Sequence, residues 1–554
     1  MDFDPALEKN EALWKAYAPT KIEERDGDII VTIPYQKQLR QEDMAPDTSA
    51  GQQTYELIIR AYEPNIVRVF TSMAGDPMTE SDEMLVMEGL QRAHLSIAHA
   101  PDQADRIIRI SKVSTAKGDV EGALVAVIDL STPLLDHWSD LLPAPQPAPR
   151  ITFYPDGDET KGITLSDDHF SPPRYDALPL GFCSACGCAT ATDRNERATI
   201  SFRCTADEHF VGTGERFRKM DLSGQTFQLK NQDGQGVNNR RCYKNIPFYL
   251  SSRMYGAFFH TSDYCKLSLA DHSSRSVQFM CDRATIDVFL VGGKTPEEIL
   301  RGYRMLTGFP QMPPLWSFGV WMSRMTYFSA DEVEDICNRL RQEHYPCDVI
   351  HLDTGWFRTD WLCEWKFNPE RFPDPEGFIR RLANQGFKVS LWQLPYVAQG
   401  AEQLEEAKAN QYISLQASPT APEGASMVSC VESIVAPSGA EGGASEGSNF
   451  SALDYAGTID FTYDKATAWY KYSLLKPLLD MGVKCIKTDF GENIHMDHRY
   501  HAMEPKRLNN LYALLYQRAA FEVTQENLTE GWGGQKASPT GEGVEGALIW
   551  ARAA

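Results

Sequence analysis

The pattern of apolar and polar positions divides this chain near residue 310. Before that point, apolar residues come in short runs that Pro and Gly separate. The clearest runs lie at 29–33, 57–62, 123–130, 198–204 and 285–291. Short strands at this density, without helical periods between them, are typical of a sandwich of antiparallel strands. We therefore expect an N-terminal β-sandwich.

A single helix is predicted where the sandwich ends. Thr295 can cap this helix, Pro296 suits its first turn, and Glu298 completes a capping box. Prolines then cluster at 310–314. We place the domain boundary there, which gives an N-terminal domain at 1–310 and a second domain at 311–554.

Strands and helices alternate in the second domain. Ser329 and Asp374 each precede an apolar helical period, and further helices are expected at 464–481 and 505–523. Five apolar runs predict strands, at 316–322, 347–353, 387–393, 483–489 and 547–552. This alternation implies a parallel sheet, and an incomplete (β/α)8 TIM barrel is the natural large candidate. An open parallel sheet is the alternative.

The interval between the third and fourth predicted strands is longer than a barrel connection. It spans about 397–455 and includes a stretch at 441–448 that is rich in Gly, Ser and Ala. Such a composition is typical of a flexible chain segment. We interpret this interval as an insertion into the barrel.

Polar and aromatic residues stand at the predicted strand ends. They are Asp353, Trp392, Asp489 and Arg552. The active site of a TIM barrel lies at the C-terminal ends of its strands, so these positions predict a polar site of sugar size. The alternative is that these strand ends are exposed to solvent, where charged residues are tolerated without having a function. Four such residues together favour the site.

Lys487 and Asp489 are the pair of residues that most specifically suggests a catalytic role. Because they lie two residues apart on a strand, their side chains share one face. A neighbouring ammonium favours an ionised carboxylate, which a nucleophile requires. A buried salt bridge that only stabilises the barrel would show the same pattern, so the residues alone leave both interpretations open.

The hexapeptide KTDFGE at 487–492 closely resembles the nucleophile motif of glycoside hydrolase family 31, in its α-xylosidase branch. Other segments from about residue 210 onward resemble that branch in the same order. They are GERF at 214–217, YKNIPFY at 243–249, WSFGVW at 316–321 and FPDPEG at 372–377. The resemblance implies a galactose-mutarotase-like β-sandwich followed by a (β/α)8 barrel with an insertion after its third strand. It also implies a retaining α-glycosidase that releases α-linked xylose.

The resemblance carries roles onto individual residues. Asp489 matches the nucleophile, and Glu492 matches the second acidic residue of the motif. Lys487 and Asp353 match positions that hold sugar hydroxyls. Trp392 matches an aromatic wall of the glycone subsite, and Arg552 matches an arginine that contacts the bound sugar.

Two departures from the family pattern affect these expectations. In the family, the acid/base Asp follows the arginine within a segment of the type His-Trp-Gly-Gly-Asp, whereas this sequence ends at Ala554. We therefore expect a chain truncated at its C-terminus, with little turnover. The branch often has Cys and an aromatic residue where Thr354 and Gly355 stand, which keeps an α-glucosidase or transglycosidase open. A non-catalytic sugar-binding remnant is the alternative of another class.

Charge and composition limit the classes of binding partner and the cellular location that we expect. The net charge is −22, which disfavours nucleic acid, and no apolar run is long enough to span a membrane. The N-terminus lacks the pattern of a secretory signal, and the 12 cysteines indicate buried free thiols in a reducing compartment, so we expect a cytoplasmic protein. No cofactor or metal is implied; a zinc site at 183–188 and a histidine ligand stripe at 495–501 are weaker alternatives. A carbohydrate is the expected partner, and a homo-oligomer is compatible with the sequence.

Overall fold

A computed structural model describes ten segments of the chain. They are 11–38, 52–99, 106–113, 122–130, 149–165, 180–185, 197–234, 239–416, 455–530 and 547–552. The chain forms two compact units. The first comprises Met1–Leu229 and Asn245–Phe309, and the second comprises Lys230–Lys244 and Pro310–Ala554. The predicted division at 1–310 did not anticipate that residues 230–244 belong to the second unit.

The first unit is built from strands. Those that the structure describes are β1 (Glu11–Ala16), β2 (Lys21–Arg25), β3 (Asp28–Gln38), β4 (Gln52–Glu63), β5 (Ile66–Ser72), β6 (Gln91–Ala93), β7 (Leu95–His99), β8 (Ile107–Lys112), β9 (Leu124–Asp129), β10 (Arg150–Phe153), β11 (Ile163–Thr164), β12 (Gly181–Ala185), β13 (Arg197–Arg203), β14 (Phe210–Gly214), β15 (Gln225–Leu229), β16 (Asn245–Ser251), β17 (Tyr255–Phe259), β18 (Cys265–Leu269), β19 (Ser276–Cys281) and β20 (Thr285–Gly292).

These strands pair antiparallel in two sheets. The larger sheet runs in the order β14-β16-β17-β20-β5-β4-β3-β1-β12-β13-β19-β18-β15, with β2 and β6 at its side. The smaller sheet runs β11-β10-β9-β8-β7. One buried apolar cluster joins side chains from both sheets, such as Ile59 of the larger and Ile110 of the smaller. The predicted β-sandwich is confirmed.

Helix α1 (Pro296–Thr307) follows β20 and begins as predicted. Thr295 Oγ1 accepts a hydrogen bond from the backbone N–H of Glu298, and the Glu298 carboxylate accepts from the backbone N–H of Lys294. The first bond caps the helix start. The second reaches the residue before the cap, so the pair differs by one residue from the predicted capping box.

A parallel sheet forms the centre of the second unit. Its strands are β21 (Trp321–Arg324), β22 (Val349–Leu352), β23 (Lys388–Gln393), β27 (Cys485–Thr488) and β29 (Ile549–Ala551), which pair in that order. All four pairings are parallel. The five predicted strands are therefore present, although the first is shifted. Residues Leu315–Phe318 form a helical turn, in which Ser317 Oγ donates to the Pro314 carbonyl, so the strand begins only at Trp321.

Helices and short elements connect these strands. The helices are α2 (Ala330–Gln342), α3 (Pro375–Asn384), α4 (Leu404–Ala409), α5 (Asp464–Trp469), α6 (Lys476–Asp480) and α7 (Pro505–Glu530), with a π-helical turn (Tyr470–Leu475) between α5 and α6. Ser329 and Asp374 cap α2 and α3 as predicted. Helix α5 begins at Asp464, where the helix at 464–481 was expected to start, and its cap position is Tyr463.

The predicted insertion and the loop after β27 contribute short strands to the second unit. They are β24 (Tyr396–Ala398), β25 (Leu415–Gln416), β26 (Tyr455–Thr458) and β28 (His498–Arg499); β24 pairs with β26, and β25 pairs with β28. The stretch at 441–448, which we interpreted as flexible, lies outside the described residues.

Cysteines of both units are buried as free thiols. Those that the structure describes as free are Cys204, Cys242, Cys265, Cys281, Cys337, Cys347, Cys363 and Cys485. The expectation of buried thiols is confirmed for these positions. Among the described helices, none is long and apolar enough to cross a membrane.

Candidate active site

Four neighbouring strands bring the predicted site residues to one end of the parallel sheet. The register places Trp392 of β23 beside Lys487 of β27. Asp353, Asp489 and Arg552 directly follow β22, β27 and β29. Because side chains alternate across a strand and parallel strands end at the same edge, these residues converge. The residues expected at the strand ends therefore lie together, while their roles stay a prediction.

Asp489 is surrounded by donors. Trp392 Nε1 donates to its Oδ2 at 2.7 Å, and the backbone N–H of Phe490 donates to its Oδ1 at 3.0 Å. Lys487 Nζ lies 3.7 Å from Oδ2. Arg552 Nε lies 3.2 Å from Oδ1, although its N–H direction is unsuited to a hydrogen bond. The side chain of Asp489 is 11% exposed. Two hydrogen bonds and two nearby positive charges therefore hold a carboxylate that remains partly accessible.

The chain turns sharply after Asp489. Phe490 has a φ of 59° and Gly491 a φ of 93°, which are both left-handed conformations. A Cβ at position 491 would lie 3.0 Å from the ring of Tyr516, so glycine suits both the conformation and the space. A left-handed non-glycine residue such as Phe490 is uncommon. Here it places an aromatic ring against Arg552, whose guanidinium carbon lies 3.9 Å from the ring centroid.

Lys487 joins Asp489 to Asp353. Its Nζ donates to Asp353 Oδ2 at 3.1 Å. The same oxygen accepts a hydrogen bond from His351 Nε2 at 3.0 Å, and Asp353 Oδ1 accepts from the backbone N–H of Thr354. Burial alone would raise the pKa of Asp353, but the His351 hydrogen bond and the Lys487 charge outweigh it and lower that pKa. Asp353 is therefore an ionised acceptor in neutral solution.

Arg552 is the cationic centre on the other side of Asp489. Its guanidinium contacts Glu492 and lies 3.6 Å from the carboxylate of Asp233. It also lies over the ring of Tyr243, at 5.1 Å from the centroid. Burial acts against the charged form, but the three carboxyl groups raise the pKa of Arg552. This arginine thus stays charged while largely enclosed.

Glu492 is a buried carboxyl group with an unusual protonation equilibrium. Its side chain is fully enclosed, and one carboxyl oxygen, Oε2, has no hydrogen-bond partner among the described residues. Burial raises the pKa of Glu492 to about 7, against the opposing charge of Arg552 and with a further rise from Asp233. A group of this kind can hold or release a proton near neutral pH.

Trp392 lies deeper than an aromatic wall would. Its side chain is only 1% exposed, and its ring packs on Phe357 and Trp361. Trp356 Nε1 donates to the Trp392 carbonyl at 2.9 Å. In this structure, the most direct contact of Trp392 with the site is therefore the indole N–H that it donates to Asp489.

The turn after β22 forms a tightly packed floor beside Asp353. Thr354 and Thr326 bring their hydroxyls to within 3.3 Å of each other. A Cβ at Gly355 would lie 2.3 Å from Thr326 Cγ2, a distance too short for any real contact. Thr354 and Gly355, which depart from the family pattern, thus pack closely against Thr326.

Three contributors to this site were not predicted from the sequence. Asp233 and Tyr243 come from the segment 230–244, which belongs to the same compact unit as the sheet. His351 is a lone histidine within an apolar strand, and such a residue gives no functional signal by itself. Within the part of the chain that the structure describes, no group of three or more His, Cys, Asp or Glu side chains is arranged to hold a metal ion. His495 and His498 instead stack on each other at 4.3 Å, while Cys186 and Cys188 lie outside the described residues.

Two domain models of one enzyme family match the chain. The family 31 TIM-barrel domain of glycosyl hydrolases matches residues 310–553, and the N-terminal galactose mutarotase-like domain of glycosyl hydrolase 31 matches residues 56–267. The chain belongs to glycoside hydrolase family 31. The resemblance seen in the KTDFGE motif and the predicted fold class are confirmed.

Relatives place this family 31 chain near α-xylosidases. It is 34% identical over 328 residues to α-xylosidase XylQ of Lactiplantibacillus pentosus, a match that covers 58% of this chain and 39% of XylQ. It is 32% identical over 323 residues to an α-xylosidase of Emericella nidulans, covering 57% of this chain and 38% of that protein. The matched region thus spans about two fifths of the length of these relatives.

A solved structure shows the same fold. The family 31 α-xylosidase from a soil metagenome, complexed with xylose, superposes with a TM-score of 0.65 at 18% identity. The superposition covers 92% of this chain and 64% of that protein. At this identity, the likeness supports the architecture alone.

Proposed function

We propose that this family 31 chain carries the nucleophile half of a retaining α-glycosidase that releases α-linked xylose from non-reducing ends. The observation that carries the proposal is the setting of Asp489. Its carboxyl group stands at a strand end of a parallel sheet, where Trp392, Lys487 and Arg552 direct donors or positive charge at it. The similarity to two α-xylosidases supports xylose as the released sugar.

In the proposed reaction, a carboxylate oxygen of Asp489 attacks the anomeric carbon of the sugar. The bond between C1 and the aglycone oxygen breaks with its electron pair, and that oxygen takes a proton from an acid group. A covalent ester between Asp489 and the sugar results. Water then attacks C1, gives its proton to the same group acting as a base, and frees both sugar and carboxylate.

The surrounding residues have roles in binding. Asp353 would accept hydrogen bonds from sugar hydroxyls, and Lys487 and Arg552 would donate to their oxygens. Asp353, Glu492 and Asp233 are the carboxyl groups joined to Asp489 through a shared cation, and each is engaged by Lys487 or Arg552. We therefore assign none of these three described groups as the acid/base.

A glycosyl fluoride tests the nucleophile separately from the acid/base. Fluoride leaves without a proton, so α-D-xylopyranosyl fluoride should convert Asp489 to its xylosyl ester without help from an acid. Intact-mass spectrometry should show the addition of one pentosyl residue, and peptide mapping should place it on Asp489. Asp489→Asn is the matched control and should remain unlabelled. Labelling of the variant at the wild-type rate, or no labelling of the wild type, would refute the proposal.

An α-glucosidase or transglycosidase is the second candidate. The specific observation that favours it is the Thr354–Gly355 floor, which differs from the pattern of the α-xylosidase branch. Comparing labelling by α-D-xylopyranosyl and α-D-glucopyranosyl fluoride discriminates the two. Equal or faster labelling by the glucosyl fluoride would defeat the xylose assignment, and sugar binding without labelling by either would indicate a non-catalytic protein.

A further inference from the structure

A row of buried polar side chains lies beneath Asp353 on the inner face of the sheet. His351 of β22 is paired in register with Ser390 of β23, and Ser390 is paired with Cys485 of β27. All three side chains are completely buried. Interior positions of a parallel barrel are mostly filled by branched apolar residues. Buried polar groups cost free energy unless they are hydrogen-bonded. The role of this row therefore depends on which hydrogen bonds these side chains make and on what those bonds hold in place.

The hydrogen bonds of His351 define its tautomer. Its Nε2 lies 3.0 Å from Asp353 Oδ2, and its Nδ1 lies 3.0 Å from Ser390 Oγ. The carboxylate of Asp353 can only accept, so Nε2 must carry the hydrogen. Nδ1 then has a free lone pair and accepts from the Ser390 hydroxyl. Burial lowers the pKa of His351, which is consistent with a neutral ring that has one donor and one acceptor.

The same carboxylate oxygen of Asp353 accepts hydrogen bonds from both His351 and Lys487. The direction in which Asp353 points therefore depends on His351, and the location of Lys487 Nζ depends on Asp353. Nζ also lies 3.7 Å from Asp489. A displacement of Asp353 would therefore move Lys487 Nζ and change the charge next to Asp489. A further restraint comes from Trp550, whose ring packs on His351 at 5.0 Å and lies beneath Lys487 Nζ.

We propose that His351 is a positioning residue for the glycosidase site, and that Ser390 holds the ring in place by donating to Nδ1 while Nε2 donates to Asp353. The inference rests on the proposed function and adds to it a residue that touches no substrate. Its effect is to hold Asp353 ready for a sugar hydroxyl and to keep Lys487 between the two carboxylates.

A matched pair of substitutions tests this role. The side-chain amide of His351→Gln can still donate to Asp353, whereas His351→Met has similar length and no donor. The rate of ester formation is measured over a range of α-D-xylopyranosyl fluoride concentrations for the 554-residue chain. His351→Met should raise the half-saturating concentration by about tenfold or more, because a hydrogen bond to a charged group is lost. His351→Gln should remain within about threefold of wild type.

The outcomes separate positioning from packing. Unchanged half-saturation in His351→Met, with only a lower melting temperature, would overturn the proposal and leave His351 as a packing residue. Equal losses in both variants would overturn it as well, since the donor would then be irrelevant. If His351→Met does not fold, Ser390→Ala takes its place. This substitution removes the hydroxyl that donates to Nδ1 and holds the His351 ring in place, so it should raise the half-saturating concentration at least severalfold. No change there refutes the role. Failure of the wild type to label at all would count against the proposed function instead.

Discussion

Replacement of Glu492 by Gln should change how the stability of the second unit depends on pH. The carboxyl group is fully buried, and burial raises its pKa from an ordinary value of 4.5 to about 7. Between these values, the unfolded chain has lost the proton while the folded protein still holds it. The contribution of Glu492 to the stability of the wild type therefore falls as pH rises from 4.5 to about 7, at about 1.4 kcal/mol per pH unit. Over this interval the loss amounts to about 3 kcal/mol.

An amide side chain does not titrate, so the variant Glu492→Gln lacks this loss. Arg552 keeps its contacts with Asp489 and Asp233, and the substitution therefore leaves no unpaired cation. The variant should gain about 3 kcal/mol relative to wild type between about pH 4.5 and about pH 8. Glu405→Gln is a suitable control, since that side chain is 88% exposed and should leave the pH profile unchanged.

Pulse proteolysis in urea, with mass spectrometry of fragments from 310–552, measures the stability of this unit without interference from the first. The comparison is made at several pH values for wild type, Glu492→Gln and Glu405→Gln. Parallel profiles for wild type and Glu492→Gln would refute the reasoning, because Glu492 would then titrate alike in both states.

Three further predictions concern other parts of the molecule. Burial opposes protonation of His260, but Asp287 and Asp82 raise its pKa to about 9. The first unit should therefore keep this stabilisation below about pH 6.5 and lose about 3 kcal/mol as pH rises through 9. Urea unfolding of wild type and His260→Gln checks this, and an equal dependence of stability on pH in the two proteins would contradict it. Trp392→Phe keeps a ring but removes the donor to Asp489, so ester formation from the xylosyl fluoride should slow by about 10- to 100-fold, and an unchanged rate would show that the indole N–H is dispensable. Gly355→Ala should destabilise the second unit by about 1–3 kcal/mol, because its Cβ would overlap Thr326, and a melting temperature equal to that of wild type would show that the floor can yield.

Local signals in the sequence predicted much of the fold. Thr295, Ser329 and Asp374 cap helices as expected because a cap depends only on residues within one turn. The strand expected at 316–322 was misplaced because two local signals compete there. Its apolar residues fit a strand, but the prolines before Leu315 favour a helical turn, which Ser317 closes by bonding to Pro314.

The site was predictable where its residues stand at strand ends and unpredictable where they depend on distant contacts. Lys487 and Asp489 lie in one motif, and periodicity alone puts them on one face. Asp233 is separated from Arg552 by most of the second domain, and no local pattern relates the two. The bond between His351 and Ser390 likewise joins two strands, a relation that the periodicity of one strand does not contain.

The segment 230–244 limits how this protein can be divided. Asn231 bonds to Asn509 and Asn510 of α7, and Tyr243 and Asp233 lie against Arg552, whereas β15 and β16 on either side of the segment belong to the other unit. No single cleavage of the polypeptide can therefore isolate the second unit intact. A fragment starting at Pro310 would expose one face of Arg552 and deprive it of a counter-charge, so excision at the domain boundary would damage a site that lies far from that boundary in sequence.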